Sequence, residues 1–110
     1  MTLTMEKRQT SVVVARGDAL TATNANELEQ EIELALEEHG DVVLDLSQVD
    51  FIDSAGCGTL LHLKKLASEY EARVILCSIT RTVRALFELI RMGRVFEIHS
   101  DRESAMLALS

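Results

Sequence analysis

Two short, almost continuously apolar runs constrain the fold of this chain more than any other feature. They are DVVLDL, at residues 41–46, and ARVILCS, at residues 72–78. Strands that are covered on both faces have this pattern, whereas strands with one solvated face alternate apolar and polar residues. We therefore predict a mostly parallel sheet with helices on both of its faces.

The segments around these runs have the period of amphipathic helices, with apolar residues recurring every three to four positions. Four such segments alternate with the strands along the chain. Their predicted core-facing residues are Leu28, Ile32, Ala35 and Leu36 in the first helix, Leu60, Leu63, Leu66, Ala67 and Tyr70 in the second, Val83, Leu86, Phe87 and Ile90 in the third, and Ala105, Met106 and Leu109 in the last.

Polar residues and glycines mark the predicted helix ends. Asn24 with Glu27, and Ser100 with Glu103, have the spacing of a capping box, in which two side chains satisfy free backbone N–H groups. Glycine often ends a helix because it accepts the left-handed backbone conformation. The glycines predicted to end the first and third helices are Gly40 and Gly93.

Two further strands complete the predicted domain. SVVVAR, at Ser11–Arg16, and RVFEIH, at residues 94–99, are rich in the β-branched and aromatic residues that strands favour. A chain of 110 residues is too short for two domains. We predict one α/β domain over residues 1–110, with a mostly parallel, mixed sheet of four to five strands and about four helices. Residues 1–10 form either an edge strand or a loose terminus.

The charge of the chain restricts its partners. Eighteen acidic residues against eleven basic residues give a net charge of −7, which provides no basic surface for nucleic acid or for an anionic membrane. No apolar run approaches the roughly 20 residues that span a bilayer, and the first residues lack the apolar centre of a signal peptide. We expect no nucleic-acid partner, no membrane insertion and a cytoplasmic location. Cys57 and Cys77 could form a disulfide if their geometry allows it, but in this location we expect two buried, reduced thiols.

The segment DSAGCG, at residues 53–58, places Ser54 where a strand gives way to a helix. Functional sites of parallel sheets gather at this edge, beyond the carboxyl ends of the strands. A nucleophilic serine needs a base within hydrogen-bond reach, yet His62 lies about two turns further along the same helix, and nothing directs His39 or His99 towards the serine. The segment also differs from the G-x-S-x-G turn of hydrolases. The pattern therefore disfavours catalysis by Ser54.

Cofactor and metal sites have little support in the sequence. Gly56 and Gly58 are a fragment of a nucleotide-binding loop that lacks both the third glycine of dinucleotide sites and the lysine of phosphate-binding loops. The cysteines and histidines do not have the spacing of metal ligands. Asp50 and Asp53 could share a hard cation, but two surface carboxylates are usually solvated. We expect neither a cofactor nor a metal.

Two interpretations of Ser54 remain from the residues alone. Serine is a preferred helix N-cap, and a helix N-terminus also favours a negative charge such as a phosphoryl group. The small residues Ala55, Gly56, Cys57 and Gly58 would leave the hydroxyl open to the active site of another protein. Ser54 is therefore either a structural cap or an acceptor of phosphate.

The segment VVLDLSQVDFIDSAGCGTLL, at residues 42–61, resembles the signature of STAS domains, in particular that of bacterial anti-sigma factor antagonists. Members of this family have an apolar strand with an internal aspartate, here Asp45, and then an Asp-Ser-small-Gly loop that opens a helix. The resemblance continues through LFEL, at residues 86–89, and VFEI, at residues 95–98, and covers nearly the whole chain from Ser11.

This resemblance implies a partner switch. In the family, the unmodified antagonist binds an anti-sigma factor that is also a serine kinase, and this binding frees the sigma factor. The kinase phosphorylates the serine after the loop aspartate, here Ser54, which abolishes binding, and a serine phosphatase resets the antagonist. The chain would then be a substrate and a binder, with no catalytic residue of its own.

The resemblance also indicates the site residues. Asp53, Ala55 and Gly56 form the phosphorylation loop around Ser54. The expected partner-binding residues lie at the start of the following helix and in the loop at residues 17–24, which would be adjacent if the two preceding strands are neighbours. These residues are Asp18, Thr21, Asn24, Cys57 and Gly58.

The sequence departs from the family pattern at two places. The family commonly has Gly-x-Leu-Asp after its first long strand, whereas this chain has GDALTATNAN, so either Asp18 or Thr21 takes the place of that aspartate. Cys57 stands where leucine is common. Within the same fold, the alternative function is that of an accessory subunit of a lipid-transporting ABC complex, because those subunits share the LDLS strand and the LLHL helix.

Overall fold

The computed structural model of the protein describes residues 9–110, and over this range each helix follows one or two strands. The strands are β1 (Ser11–Val14), β2 (Ala19–Leu20), β3 (Val42–Asp45), β4 (Phe51–Ile52), β5 (Val74–Cys77) and β6 (Ile98–His99). The helices are α1 (Ala25–His39), α2 (Ser54–Glu69), α3 (Arg81–Ile90) and α4 (Arg102–Leu109), and a single 3₁₀ turn spans Met92–Arg94.

Four of the strands form one parallel sheet in the order β1-β3-β5-β6. The short strands β2 and β4 form a separate parallel pair. The predicted parallel sheet is thus confirmed, with four strands and with parallel pairing throughout residues 9–110. The predicted edge strand falls largely on residues 1–8, which lie outside the described residues, and Gln9 and Thr10 are not in a strand.

The two central strands are buried on both faces, as their apolar sequences predict. All four residues of β3 and of β5 are buried. Because successive side chains of a strand point to opposite faces, Val42 and Leu44 join the core beneath α1, α2 and α3, whereas Val43 and Ile75 contact Ala105 of α4. Apolar burial on both faces fixes the sheet between two helical layers.

The predicted core-facing residues of α1 and α2 are buried except for Tyr70, which is half-buried. The prediction is wrong at two positions near the end of the chain. Ile90 is 44% exposed because α3 ends there, and Met106 is 37% exposed because α4 touches the sheet chiefly through Ala105.

Both predicted capping boxes are wrong. Asn24 does precede α1, but its side chain makes no cap bond. Its amide instead accepts a hydrogen bond from Thr21 N and donates one to Ala19 O, which rigidifies the loop. At α4 the cap is Asp101, which accepts a hydrogen bond from Ser104 N at 2.7 Å, and not Ser100.

Glycine ends α1 but not α3. The Gly40 N–H bonds to Leu36 O, and its φ of 98° is one that glycine adopts readily. The predicted end of α3 at Gly93 is wrong, because Arg91 takes the left-handed conformation with φ 59° and ψ 40°.

The predicted strand at residues 94–99 is also mostly wrong. Val95 N and Phe96 N bond back to Met92 O at 2.9 and 3.0 Å, so this backbone is turned and not extended. Only Ile98 and His99 pair with β5. Phe96 is nevertheless buried in the main core, which explains why the segment is apolar.

Within residues 9–110, none of the helices is long and apolar enough to cross a membrane.

Candidate functional site

The site lies where β4 ends and α2 begins. Asp53 is the N-cap of α2, and its Oδ1 accepts a hydrogen bond from Gly56 N at 2.8 Å. Ser54 is the first residue of the helix, so the interpretation of Ser54 as the cap is wrong. Asp53 caps the helix, so the Ser54 hydroxyl is not used for capping.

The Ser54 side chain is exposed, and it has no hydrogen-bond partner among residues 9–110. The backbone N–H groups of Ser54 and Ala55 also have no partner in this range, because Asp53 engages only the N–H groups of Gly56 and Cys57. Free N–H groups at a helix start are favourable partners for an anion. The first turn of α2 therefore presents a hydroxyl together with two free donors.

Gly56 holds this turn against the neighbouring loop. A Cβ atom at Gly56 would lie 2.3 Å from Leu20 O and 2.8 Å from Ile52 Cγ2. A side chain at this position would push the helix start away from β2. Gly58 differs, because a Cβ atom there would meet nothing within 4 Å.

The short β2–β4 pair brings the loop at residues 17–24 beside the Ser54 loop. Leu20 pairs with Ile52, and Leu20 O accepts a hydrogen bond from Asp53 N at 3.2 Å. The two loops are therefore adjacent, which was the condition for a binding surface that includes both of them. The pair that provides it consists of two strands of two residues, which the sequence analysis did not identify.

Asp18 and Thr21 lie at opposite ends of β2. Because Leu20 pairs with Ile52, Thr21 follows β2 just as Asp53 follows β4. Asp18 precedes β2 and its carbonyl accepts hydrogen bonds from Asp50 N and Phe51 N, at the far end of the pair. A strand rises about 3.3 Å per residue, so Asp18 and Thr21 are roughly 10 Å apart along the strand.

The remaining predicted binding residues differ in exposure. Ala55 and Gly58 are exposed, whereas Cys57 is half-buried. Asn24 is half-buried and its amide is used within its own loop.

Cys57 and Cys77 are both free thiols. The expectation of two buried thiols is correct for Cys77 and wrong for Cys57, which is half-buried. Burial raises the pKa of both thiols, and the nearby Asp53 carboxylate raises the pKa of Cys57 further. Since the thiolate is the reactive form of cysteine, both side chains are poor nucleophiles at neutral pH.

The histidines do not support catalysis at Ser54. Each lies near a glutamate elsewhere, with His39 at 4.0 Å from Glu38, His62 at 3.5 Å from Glu29 and His99 at 2.6 Å from Glu97. Among residues 9–110, no histidine forms a hydrogen bond with Ser54, and no three His, Cys, Asp or Glu side chains are grouped as metal ligands would be.

Two structural features near the site have no signal in the sequence. Phe51 is 57% exposed and lines an apolar groove with Val83 and Leu86 of α3. Thr80 caps α3 by accepting a hydrogen bond from Val83 N, and its hydroxyl donates to Val49 O at 3.0 Å. The second bond fastens α3 to the segment that leads into β4.

Asp45, the internal aspartate of the apolar strand, has a structural role. Its Oδ1 accepts a hydrogen bond from Ser47 N, and its Oδ2 accepts one from Arg102 Nε at 2.6 Å. Burial alone would raise the pKa of this carboxyl, but the hydrogen bonds from Ser47 and Arg102 outweigh it, and the pKa is lowered. Asp45 therefore stays ionised and connects β3 to α4.

Comparison with known proteins agrees with this geometry. The sequence profile of the STAS domain family matches residues 2–105. The chain belongs to the STAS domain family. BtrV of Bordetella bronchiseptica, assigned as an anti-sigma factor antagonist, is 30% identical over 109 residues, which cover 98% of this chain and 94% of BtrV. This STAS domain is therefore a member of the anti-sigma factor antagonists.

Two solved structures of the anti-sigma factor antagonist SpoIIAA share the fold. The unphosphorylated form is 23% identical, with a TM-score of 0.74, and the match covers 98% of this chain and 94% of SpoIIAA. The phosphorylated form, from Bacillus, is 22% identical, with a TM-score of 0.68 and coverage of 99% and 98%. At these identities the similarity concerns the fold alone.

Proposed function

We propose that this STAS domain is the antagonist in a phosphorylation-controlled partner switch, and that Ser54 is the phosphorylated residue. The unmodified protein binds an anti-sigma factor that is also a serine kinase, and thereby frees a sigma factor in the cytoplasm. The observation that carries this proposal is the exposed Ser54 hydroxyl, which has no partner within residues 9–110 because Asp53 caps the helix instead.

The local backbone suits a phosphoryl group. The kinase would transfer the γ-phosphoryl group of ATP to Ser54 Oγ, with ADP as the leaving product and the hydroxyl proton lost to solvent or to the kinase. The free N–H groups of Ser54 and Ala55, and the positive end of the α2 dipole, would offset the added charge. No rearrangement of the helix start is needed.

Phosphorylation would act on binding through charge. A phosphoryl group adds about −1.5 to −2 units of charge, which takes the chain from −7 to roughly −9. The new dianion lies next to Asp53 on a surface that would contact the partner. Desolvating this charge, or placing it against a like charge, costs several kcal/mol of affinity. A serine phosphatase would reverse the change.

The proposed docking surface consists of the first turn of α2 and the loop after β1. Ala55, Cys57 and Gly58 contribute from the helix. We assign the role of the family aspartate to Thr21, because it follows β2 beside Asp53, whereas Asp18 lies at the far end of the pair and would contact the partner only at its edge. Asn24 would support this surface by holding its loop in place.

Binding by Ser54 variants tests the proposal. Immobilised wild-type protein and the Ser54→Ala variant should retain a serine kinase of the histidine-kinase-like ATPase fold from the native cells. Ser54→Asp should lower the affinity by about a hundredfold, which corresponds to roughly 2.7 kcal/mol. Ser68→Asp is the matched control, because Ser68 is exposed on the same helix but far from its start.

The purified kinase with ATP should then phosphorylate the wild-type protein and leave Ser54→Ala unmodified. Equal affinity of wild type, Ser54→Asp and Ser68→Asp for that kinase would contradict the assignment of the interface. Retention of an ATPase and permease complex in place of a kinase would instead support the lipid-transport function.

A further inference from the structure

A second concave site lies on the other side of α3 from the Phe51 groove. It is a shallow cavity of about 450 Å³, widely open to solvent, between α3, the 3₁₀ turn and β6. Phe87, which is buried, lines it together with Ile79 and Ile98, which are half-buried. Cavities of this size with an apolar lining and a few polar groups are typical of sites for small organic molecules.

Three arginines surround this cavity. Arg84, Arg91 and Arg94 all line it and are exposed, and Glu88 is the acidic residue among the lining residues, so the lining carries a net charge of +2. The side chains of the three arginines have no ion pair or hydrogen bond with any of residues 9–110. A positive, unneutralised cavity stands out on a chain with a net charge of −7.

The local backbone explains why the arginines converge. The helix α3 ends at Ile90, and Arg91 turns the chain through the left-handed conformation. The 3₁₀ turn then returns the chain towards β6. As a result, Arg94 lines the same cavity as Arg84, which lies in α3. The left-handed conformation is strained for Arg91, since residues other than glycine rarely adopt it.

We propose that this cavity binds a small organic anion, with an apolar body against Phe87, Ile79 and Ile98 and a carboxylate or phosphate group at the arginines. Guanidinium groups suit such anionic groups because their N–H donors match two oxygens at once. No residue of the Ser54 surface lines this cavity, so the proposal holds or fails independently of the partner switch.

A pair of probes that differ in charge tests the proposal. The anionic probe is 8-anilinonaphthalene-1-sulfonate, and its neutral counterpart is N-phenyl-1-naphthylamine, which has the same rings without the sulfonate. The folded protein should bind the anionic probe more tightly. In ¹⁵N-labelled protein, amide shifts caused by the anionic probe should fall on α3, the 3₁₀ turn and β6.

Substitutions distinguish the effect of the cavity-lining charges on probe binding from the effect of the overall charge of the protein. Arg84→Gln with Arg94→Gln should raise the Kd of the anionic probe about tenfold and leave that of the neutral probe unchanged. Glu88→Gln should lower the Kd of the anionic probe. Arg81→Gln is the matched control, because Arg81 is exposed on α3 and does not line the cavity.

Equal binding of the two probes, or amide shifts centred on the Ser54 loop or the Phe51 groove, would overturn the proposal. The same would follow if Arg81→Gln weakened the anionic probe as much as the double variant does. The probe comparison on the wild-type protein needs no substitution, so it decides the matter even if a variant folds poorly.

Discussion

Asp53 and Ser54 perform two tasks that a single side chain could not perform together. Asp53 places a carboxylate oxygen 2.8 Å from Gly56 N and so completes the start of α2. A serine that capped the helix would have its hydroxyl oxygen occupied by the backbone. Because the aspartate caps, the neighbouring hydroxyl is open to a kinase.

The two glycines of this turn should respond oppositely to substitution. Gly56→Ala should lower the free energy of unfolding by about 1–3 kcal/mol, because its Cβ would overlap Leu20 O. Gly58→Ala should raise it by about 0.5–1 kcal/mol, since alanine favours a helix and the space is open. Urea denaturation measures both values. If Gly56→Ala matched Gly58→Ala, the close packing of α2 on β2 would be refuted.

The identity of each cap could not be predicted from the sequence. At both Asp53-Ser54 and Ser100-Asp101, two good capping residues are adjacent. In each case the aspartate caps, because its backbone is extended, with φ −90° and ψ −176° at Asp53. The residue types alone do not decide which of the two caps the helix, because the choice depends on where the preceding strand or turn ends.

At the scale of the elements, polar contacts between distant segments fasten the helices to the sheet. Thr80 connects α3 to Val49, 31 residues away in sequence, and Arg102 connects α4 to Asp45, 57 residues away. The contact between Asp45 and Arg102 contributes more to holding its helix on the sheet than the Thr80 contact does, because α4 fully buries only Ala105. Local sequence patterns cannot reveal contacts of this range.

The contact between Asp45 and Arg102 should make stability depend on pH. The pKa of the Asp45 carboxyl is lowered in the folded protein, so the unfolded chain binds its proton first as the pH falls. The stabilisation is therefore complete above about pH 4 and is lost as the pH falls through the folded pKa. At pH 7, Asp45→Asn should cost about 1–3 kcal/mol of unfolding free energy.

Urea denaturation from neutral to acid pH checks this expectation. The difference between wild type and Asp45→Asn should shrink towards about pH 2. Glu97→Gln is the comparison, because Glu97 pairs with His99 and Arg73 at the surface, and exposed pairs contribute less than about 1 kcal/mol each. A constant difference at every pH would show that Asp45 contributes by packing and not by its charge.

The elements themselves were predictable to different degrees. The buried faces of α1 and α2 follow from the 3.6-residue period, and β3 and β5 follow from their apolar runs. The β2–β4 pair could not be predicted, because two-residue strands have no period. This pair positions the site, so the part of the fold closest to function had the weakest signal.

At the scale of the whole molecule, the proposed partner switch is a change of charge on a rigid surface. The sheet, with helices on both faces, supports the start of α2, and the exposed Ser54 side chain forms no hydrogen bond with any of residues 9–110. The parallel sheet and the family membership were predictable because the succession of strands and helices, and the resemblance to the family, extend over nearly the whole chain. The second cavity was not, since it depends on the left-handed turn at Arg91 and on the 3₁₀ turn, neither of which the sequence analysis predicted.

The free energy of unfolding should therefore be insensitive to charge at Ser54. Ser54→Asp should stay within about 0.5 kcal/mol of wild type in urea denaturation, because an exposed helix start tolerates an acid. Gly56→Ala serves as the destabilised reference. A loss of 2 kcal/mol or more on Ser54→Asp, on the order of a core defect, would mean that phosphate acts by unfolding the site.

The most direct test of the central claim is phosphopeptide analysis of the protein recovered from its own cells, in growth and under stress. We expect a single phosphoryl group on Ser54, with an occupancy that changes between the two conditions. A Ser54 that remains unmodified in both conditions, or a changing phosphoryl group at another residue, would contradict it.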